Sequence, residues 1–318
     1  MVAVVIGVDL GGTVVRAGAI DQDANLLAVS QAPIEAYLGA QAGLARIIAV
    51  IEKALGEHAD WHLLGIGFGA TGPVDRRLGA IQNPFTLPGW ENVPVVAPLR
   101  EHFGVPVRLE NDADVAALGE YWAGAGKGVR RLYAITLGTG IGTALICDGQ
   151  IYRGLDGSHP DGGHQIIDPM GPVCYCGAKG CWESLAAGPA IARQAREVLL
   201  DFPSSRVLDL AQGDPNRIDA HMVAQAAREG DALGLAVMEK ASWYFSLGLV
   251  NIITLFVPEM IVLSGGVMRS ASLFMPAIET AVNDHNIMVP ASQVRILPAQ
   301  LGDQAGMIGA AYTIYQNG

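Results

Sequence analysis

The chain opens on an apolar run over residues 4–10, broken by Gly11-Gly12-Thr13 before a second alternating run over 14–20. That pattern predicts strand, tight turn, strand. A polar stretch from Asp21 to Asn25 makes a further turn into Leu26-Leu27. Over residues 35–55 the apolar positions change to helical spacing, with Leu44, Ile47, Ile48 and Ile51 on one face. A strand is expected at 63–68, then a glycine-rich loop, a Pro-Gly loop at 84–94 and a strand at 105–109. The next helix begins near Asp112 and ends by Gly124.

The opening pattern then returns. Residues 132–137 read as a strand, Gly138-Thr139-Gly140 as a turn and 141–146 as a strand, followed by another turn and a short strand at 151–152. Two hairpins of one design point to a duplicated α/β domain; two ordinary glycine turns that are alike by chance would look the same. The later chain is mostly helical over 186–257. A strand at 260–263 then meets Ser264-Gly265-Gly266, and 302–315 is a helix rich in small residues, suited to close packing. Residues 1–112 with the terminal helix 300–318 are expected to form a small α/β domain, and 113–299 a larger one.

Composition narrows the function classes. Of 318 residues, 51% are apolar, which excludes a chain too polar to bury a core. The net charge of −11 repels phosphate backbones, so no nucleic-acid partner is expected. Residues 241–257 carry no charge but include Ser242, Ser246, Asn251 and Thr254. They are short for a bilayer span, so a buried helix or a dimer seam is expected and no membrane partner. No basic segment precedes the first apolar run, so no secretory leader is expected and a cytoplasmic location is. Three of the four cysteines lie within eight positions, which points to a reducing compartment and to a metal or a reactive thiol; Cys147, in a strand, reads as core.

Neither glycine turn has the Gly-Lys pair of a phosphate-binding P-loop, and neither leads into a helix. A glycine turn can still hold a phosphate, because backbone N–H groups free of Cβ atoms converge on an anion. Asp9 stands just before the first turn, where a carboxylate can place the Mg²⁺ of ATP through water, and Thr13 offers a hydroxyl. Plain hairpins remain the alternative on these residues alone.

Taken together the motifs carry a resemblance. Asp9-Leu-Gly-Gly-Thr13, Gly138-Thr-Gly140-Ile-Gly142 and Leu263-Ser-Gly-Gly266 resemble the two phosphate loops and the adenosine loop of the actin–hexokinase superfamily. Gly162-Gly-His164 followed by Cys174-Tyr-Cys176-Gly-Ala-Lys-Gly-Cys181-Trp-Glu183 narrows the resemblance to the ROK family of repressors and sugar kinases. It implies two duplicated actin/hexokinase-like (ribonuclease H-like) α/β domains with an active-site cleft between them. It also implies ATP and Mg²⁺ as cofactors, a hexose-like substrate and a homodimer. Gly11, Gly12, Thr13, Gly138, Thr139 and Gly140 would then meet the phosphates, with Gly265 and Gly266 near the adenosine.

Glu110-Asn111-Asp112 closes a strand and opens a helix. By the resemblance Asp112 is the general base that takes a sugar hydroxyl's proton. A helix N-terminus favours its ionised form, so an unprotonated Asp112 is expected. The same residue types also cap helices, and Asp114 reads as a partner of the helix dipole. His164, Cys174, Cys176 and Cys181 offer the donor set of a closed tetrahedral Zn²⁺ site, with a redox pair or buried thiols as the alternatives. The resemblance favours a structural zinc and adds Asn83, Asn111, Asp112, Asp161, His164 and Glu183 as sugar contacts. The family's usual Glu-x-Gly-His is here Asp161-Gly-Gly-His164. An aspartate is one methylene shorter, which opens the acceptor to another hexose, an N-acetylhexosamine or a cyclitol besides glucose. A sugar-sensing regulator without a DNA-binding domain is the reading of another class.

Overall fold

The computed structural model describes residues 1–58, 60–84, 86–286 and 288–316. Strands β1 (Val2–Leu10), β2 (Val14–Ile20), β3 (Leu26–Pro33), β4 (Trp61–Ala70) and β5 (Val107–Asn111) form one sheet in the order β3-β2-β1-β4-β5. The first three strands pair antiparallel, whereas β1/β4 and β4/β5 are parallel. A second sheet holds β6 (Arg131–Leu137), β7 (Ile141–Cys147), β8 (Gln150–Ile151), β9 (Met260–Ser264) and β10 (Arg295–Pro298) in the order β8-β7-β6-β9-β10. Each sheet therefore reads third-second-first-fourth-fifth along its own strands. Repetition of that order, rather than the glycine turns alone, establishes the duplication.

The chain divides into two compact units. Residues 1–132, 144–159 and 299–318 form the first, and residues 133–143 with 160–298 the second. In the first unit, β1 is apolar and buried along nearly its whole length because both faces of its sheet are covered. The helix Ala40–Leu55 turns Ile47, Val50, Ile51 and Ala54 into a core with Ile6, Val8, Phe68 and Trp90. On the other face the helix Ala305–Tyr315 packs Met307, Ile308 and Ala311 against Val5 and Ile20. The helical spacing read over 35–55 is interrupted at Gly39, which ends a single 3₁₀ turn, Ala36–Leu38, before the helix proper.

The terminal helix approaches β1 and β4 so closely that each strand needs a glycine beneath it. A Cβ on Gly7 would stand 1.8 Å from the Met307 carbonyl oxygen, and one on Gly67 1.8 Å from that of Ala310. The obstructing atoms are helix backbone, so they cannot rotate aside. Gly67→Ala should therefore destabilise the protein by about 3 kcal/mol, at the upper end for overpacking, read as a lower urea midpoint at unchanged slope.

In the second unit the uncharged stretch lies in the helix Ala232–Phe256, whose Ala241, Phe245, Leu249 and Ile253 are buried. Trp182 packs flat against it: the ring stacks on Phe245 at 5.3 Å, over the space that Gly248 leaves open. Among the described residues no helix is long and apolar enough to cross a membrane.

Candidate active site

Three parallel strands of the first unit end level, with Leu10 paired to Ala70 and Ala70 to Asn111. Carboxyl ends of parallel strands are where α/β folds present chemistry, because the following loops leave the sheet there. Asp9 and Asp112 both sit at this edge. The first turn is closed by Gly11 N–H donating to the Val14 carbonyl at 3.0 Å, and it leaves Gly12 and Thr13 exposed. Burial raises the pKa of Asp9, while the Arg16 guanidinium 3.6 Å away opposes the rise. Neither Arg16 nor Gly306 was legible as part of the site. A Cβ on Gly306 would lie 2.8 Å from Asp9 Cγ, so the terminal helix makes room for that carboxylate.

Asn111 is the N-cap of the helix Asp112–Ala123, accepting from Ala113 N–H at 2.9 Å. Asp112 Oδ1 shares that donor at 2.9 Å, and Oδ2 accepts no hydrogen bond among the described residues. Capping thus falls mainly to Asn111. The helix end is not the largest influence on the charge of Asp112. Burial dominates and pushes its pKa up to about 6, with the negative charges of Asp9 and Asp114 adding to the rise. The Ala113 N–H and His159 oppose it. Asp112 is still mostly ionised at neutral pH, but by a narrower margin than the helix terminus implied.

Asn83 is fully buried, and its amide bonds the Thr71 carbonyl at 3.1 Å and Thr86 Oγ1 at 2.7 Å. It also accepts from Thr86 N–H at 3.1 Å, so these contacts pin the loop between residues 71 and 86. Asp114, read as a first-turn dipole partner, is completely buried and paired with Arg153 and His159.

In the second unit the turn Gly138-Thr139-Gly140 is closed by Gly138 N–H on the Gly140 carbonyl at 2.9 Å. Thr139 is exposed at its tip. Gly265 lies at φ +95°, with the Leu137 carbonyl 2.3 Å from where a Cβ would be, so only glycine passes there. Gly266 follows it into the 3₁₀ turn Val267–Ser270. Glu183 braces the same hairpin: Oε2 accepts from Ile141 N–H at 2.8 Å and lies against Gly140. Sequence reading gave Glu183 only a sugar contact, because the 42-residue separation leaves no local signal for this brace.

The four expected ligands converge. Cys174 Sγ is 3.5 Å from His164 Nδ1, Cys176 Sγ is 3.6 Å from Cys181 Sγ, and all four donor atoms lie within 4.8 Å of one another. In a tetrahedral Zn²⁺ site with bonds of about 2.3 Å to sulfur and about 2.0 Å to nitrogen, neighbouring donors stand about 3.5–3.8 Å apart. The residues fit that ion. His164 Nε2 faces the Tyr175 hydroxyl at 3.0 Å and Asp161 Oδ2 at 3.5 Å, contacts that would fix the ring's orientation. Gly180, at φ +71°, lets the loop cross the Asp168 carbonyl. Cys147, expected in the core, is only half-buried at the end of β7.

Among known proteins, the family model described as "ROK family" matches residues 5–317. The chain belongs to the ROK family. It is 34% identical over 310 residues to the glucokinase of Thermotoga maritima, covering 97% of this chain and 96% of that one. A ROK family glucokinase from Streptomyces griseus, solved in complex with glucose and AMPPNP, superposes with a TM-score of 0.81 at 32% identity. That match covers 98% of this chain and 99% of the other. The ROK hexokinase of Thermus thermophilus gives 0.83 at 31% identity, covering 99% and 100%. The reaction class of this ROK chain follows from likeness along its whole length: it is an ATP-dependent sugar kinase.

Proposed function

We propose that the chain transfers the terminal phosphoryl group of ATP to a hydroxyl of a hexose, with Asp112 as general base and glucose as the first acceptor to test. The observation that carries this reading is the level edge of the first sheet, where Asp9, the Gly11-Gly12-Thr13 turn and Asp112 stand together. Asp112 Oδ2 would take the hydroxyl proton as the sugar oxygen bonds to the γ-phosphorus and the bond to the leaving ADP oxygen breaks. The proton then passes from Asp112 to water. A base with a pKa of about 6 is ionised at rest yet close enough to neutrality to accept a proton late in transfer. Positioning does most of the work, because the transition state of phosphoryl transfer is loose.

Mg²⁺ bound with ATP would neutralise phosphate charge, with Asp9 as its anchor through water. The turns at Gly11–Thr13 and Gly138–Gly140 would bind the phosphates through backbone N–H groups, and Gly265-Gly266 would adjoin the adenosine. Asn111, Asp161, His164 and Glu183 are our further candidates for sugar contacts, with Asn83 supporting the loop. Zn²⁺ would be structural, since four protein donors leave no open position. A homodimer in the cytoplasm completes the reading; light scattering on the purified protein tests the dimer.

The deciding experiment couples ADP release to a dye, with Mg-ATP and a panel of acceptors. The panel holds glucose, mannose, fructose, allose, N-acetylglucosamine, N-acetylmannosamine and myo-inositol. We expect turnover with glucose. Turnover with another member alone would trace the acceptor to the shorter Asp161. Should nothing turn over while a sugar raises the melting temperature, the regulator reading replaces the kinase.

A further inference from the structure

Asp112 is flanked by two buried carboxylates. Glu110, two residues before it on β5, is 7% exposed, and Asp114, two residues after it in the first helical turn, is 0% exposed. A dipole partner needs no such burial, since its gain is only about 0.3–1 kcal/mol at the surface. Removing a carboxylate from water costs several kcal/mol unless a cation and hydrogen bonds compensate. One side chain joins the two carboxylates. Arg153 Nη2 donates to Glu110 Oε2 while Nη1 donates to Asp114 Oδ2.

The network extends at both ends. Arg76 closes on the other oxygen of Glu110, with Nε at 2.9 Å and Nη2 at 2.8 Å from Oε1. His159 Nδ1 stands 3.1 Å from Asp114 Oδ1 and 3.2 Å from Oδ2. All five residues belong to the first unit. A guanidinium presents its donors in a rigid planar fork, so bonding two carboxylates at once fixes their separation as well as their charge. Those carboxylates belong to the end of the strand and the first turn of the helix on either side of Asp112.

We propose that Arg153 is a positioning residue for the transfer reaction: it clamps Glu110 and Asp114 to one guanidinium and so fixes the strand-to-helix junction that aims Asp112. This rests on the reading of Asp112 as the base. The clamp also sets the charge around that base. The anions facing the junction are Asp9, Glu110 and Asp114, and the fixed cations are Arg16 on Asp9, Arg76 on Glu110 and Arg153 on both inner carboxylates; the His159 ring also faces Asp114 and adds a charge only when protonated. Removing Arg153 leaves the negative charges in excess, which favours the protonated form of Asp112.

The test is kcat and the pH profile of kcat/KM in Arg153→Met, Arg153→Lys and the double variant Arg153→Met/Asp114→Asn. In Arg153→Met, kcat should fall about 100-fold, the scale on which an ångström of misplacement acts, with KM for ATP nearly unchanged. The acid limb of its kcat/KM should move to higher pH, because Asp114, whose charge already raises Asp112, loses its guanidinium partner. Lysine should restore the acid limb, because it keeps the charge, but only part of kcat, because a point charge lacks the fork that spans both carboxylates. The double variant should bring the limb back toward that of the parent, because it removes one charge of each sign. A folded Arg153→Met with parental kcat and acid limb overturns the proposal, whatever happens to its melting temperature. Should that variant not fold, Arg153→Lys and the double variant carry the comparison, and parental kcat in both overturns the proposal. Asp112→Asn separates the two ideas: an active Asp112→Asn sinks the base itself, whereas an inactive one beside an unmoved Arg153→Met sinks only the clamp.

Discussion

Asp112→Asn should yield a folded protein that has lost about a hundredfold to ten-thousandfold of kcat, the range that a positioned base contributes. The amide oxygen can keep the bond from Ala113 N–H that Oδ1 now accepts at 2.9 Å, so the helix start survives. What disappears is the basic oxygen. The parent enzyme should show an acid limb in kcat/KM near pH 6, where Asp112 takes up a proton, and the variant's residual rate should lack it.

The same substitution should stabilise the fold at neutral pH. Burial raises Asp112 from 3.8 to about 6. Between those values the folded chain holds a proton that the unfolded chain has released, so stability declines as pH rises through the window. Above pH 6 the loss is complete and reaches at most about 3 kcal/mol, at about 1.4 kcal/mol for each tenfold change in proton affinity. Asparagine never ionises and escapes that loss. Melting temperatures of the two proteins should therefore differ at pH 7, with the variant higher, and converge toward pH 4. An active variant would remove Asp112 from the mechanism, and equal melting at both pH values would remove the burial effect.

Cys181→Ser should have the second large effect. The protein purified without chelators should carry one zinc per chain, released on titrating its thiols and read with a chromophoric chelator. Structural zinc in small peptides contributes on the order of 10 kcal/mol; the surrounding fold should retain part of that here. Activity should fall as well, because Cys181 is followed by Trp182, packed on the long helix, and by Glu183, bonded to Ile141 N–H at 2.8 Å. Loosening this loop loosens the Gly138–Gly140 turn that Glu183 braces. Cys147→Ser, outside the cluster, should change neither zinc content nor rate. A zinc-free parent protein, or a Cys181→Ser variant with full rate, would refute the four-donor site.

The elements legible in the sequence are those whose cause is local. The alternating runs around Gly11-Gly12 and Gly138–Gly140 declare two hairpins, since a strand's period and a turn's glycines are written in adjacent residues. Four zinc-type donors could be read from His164 to Cys181 because their chemistry is scarce and their span short. The small residues of the terminal helix announced close packing, although only the fold shows that it approaches β1, β4 and the helix Asp112–Ala123.

What tertiary structure decided is electrostatic and non-local. Nothing in the run Glu110–Asp114 says that Arg153, about forty positions later, returns to neutralise both ends. Nor does it say that burial rather than the helix terminus governs Asp112. Glu183 met Ile141 N–H, and Asn83 was spent on its own loop, for the same reason. Hydrophobic periodicity reports which face of an element leaves water. The partner of a buried charge depends on which distant segment folds back onto it, and on the dielectric that segment creates.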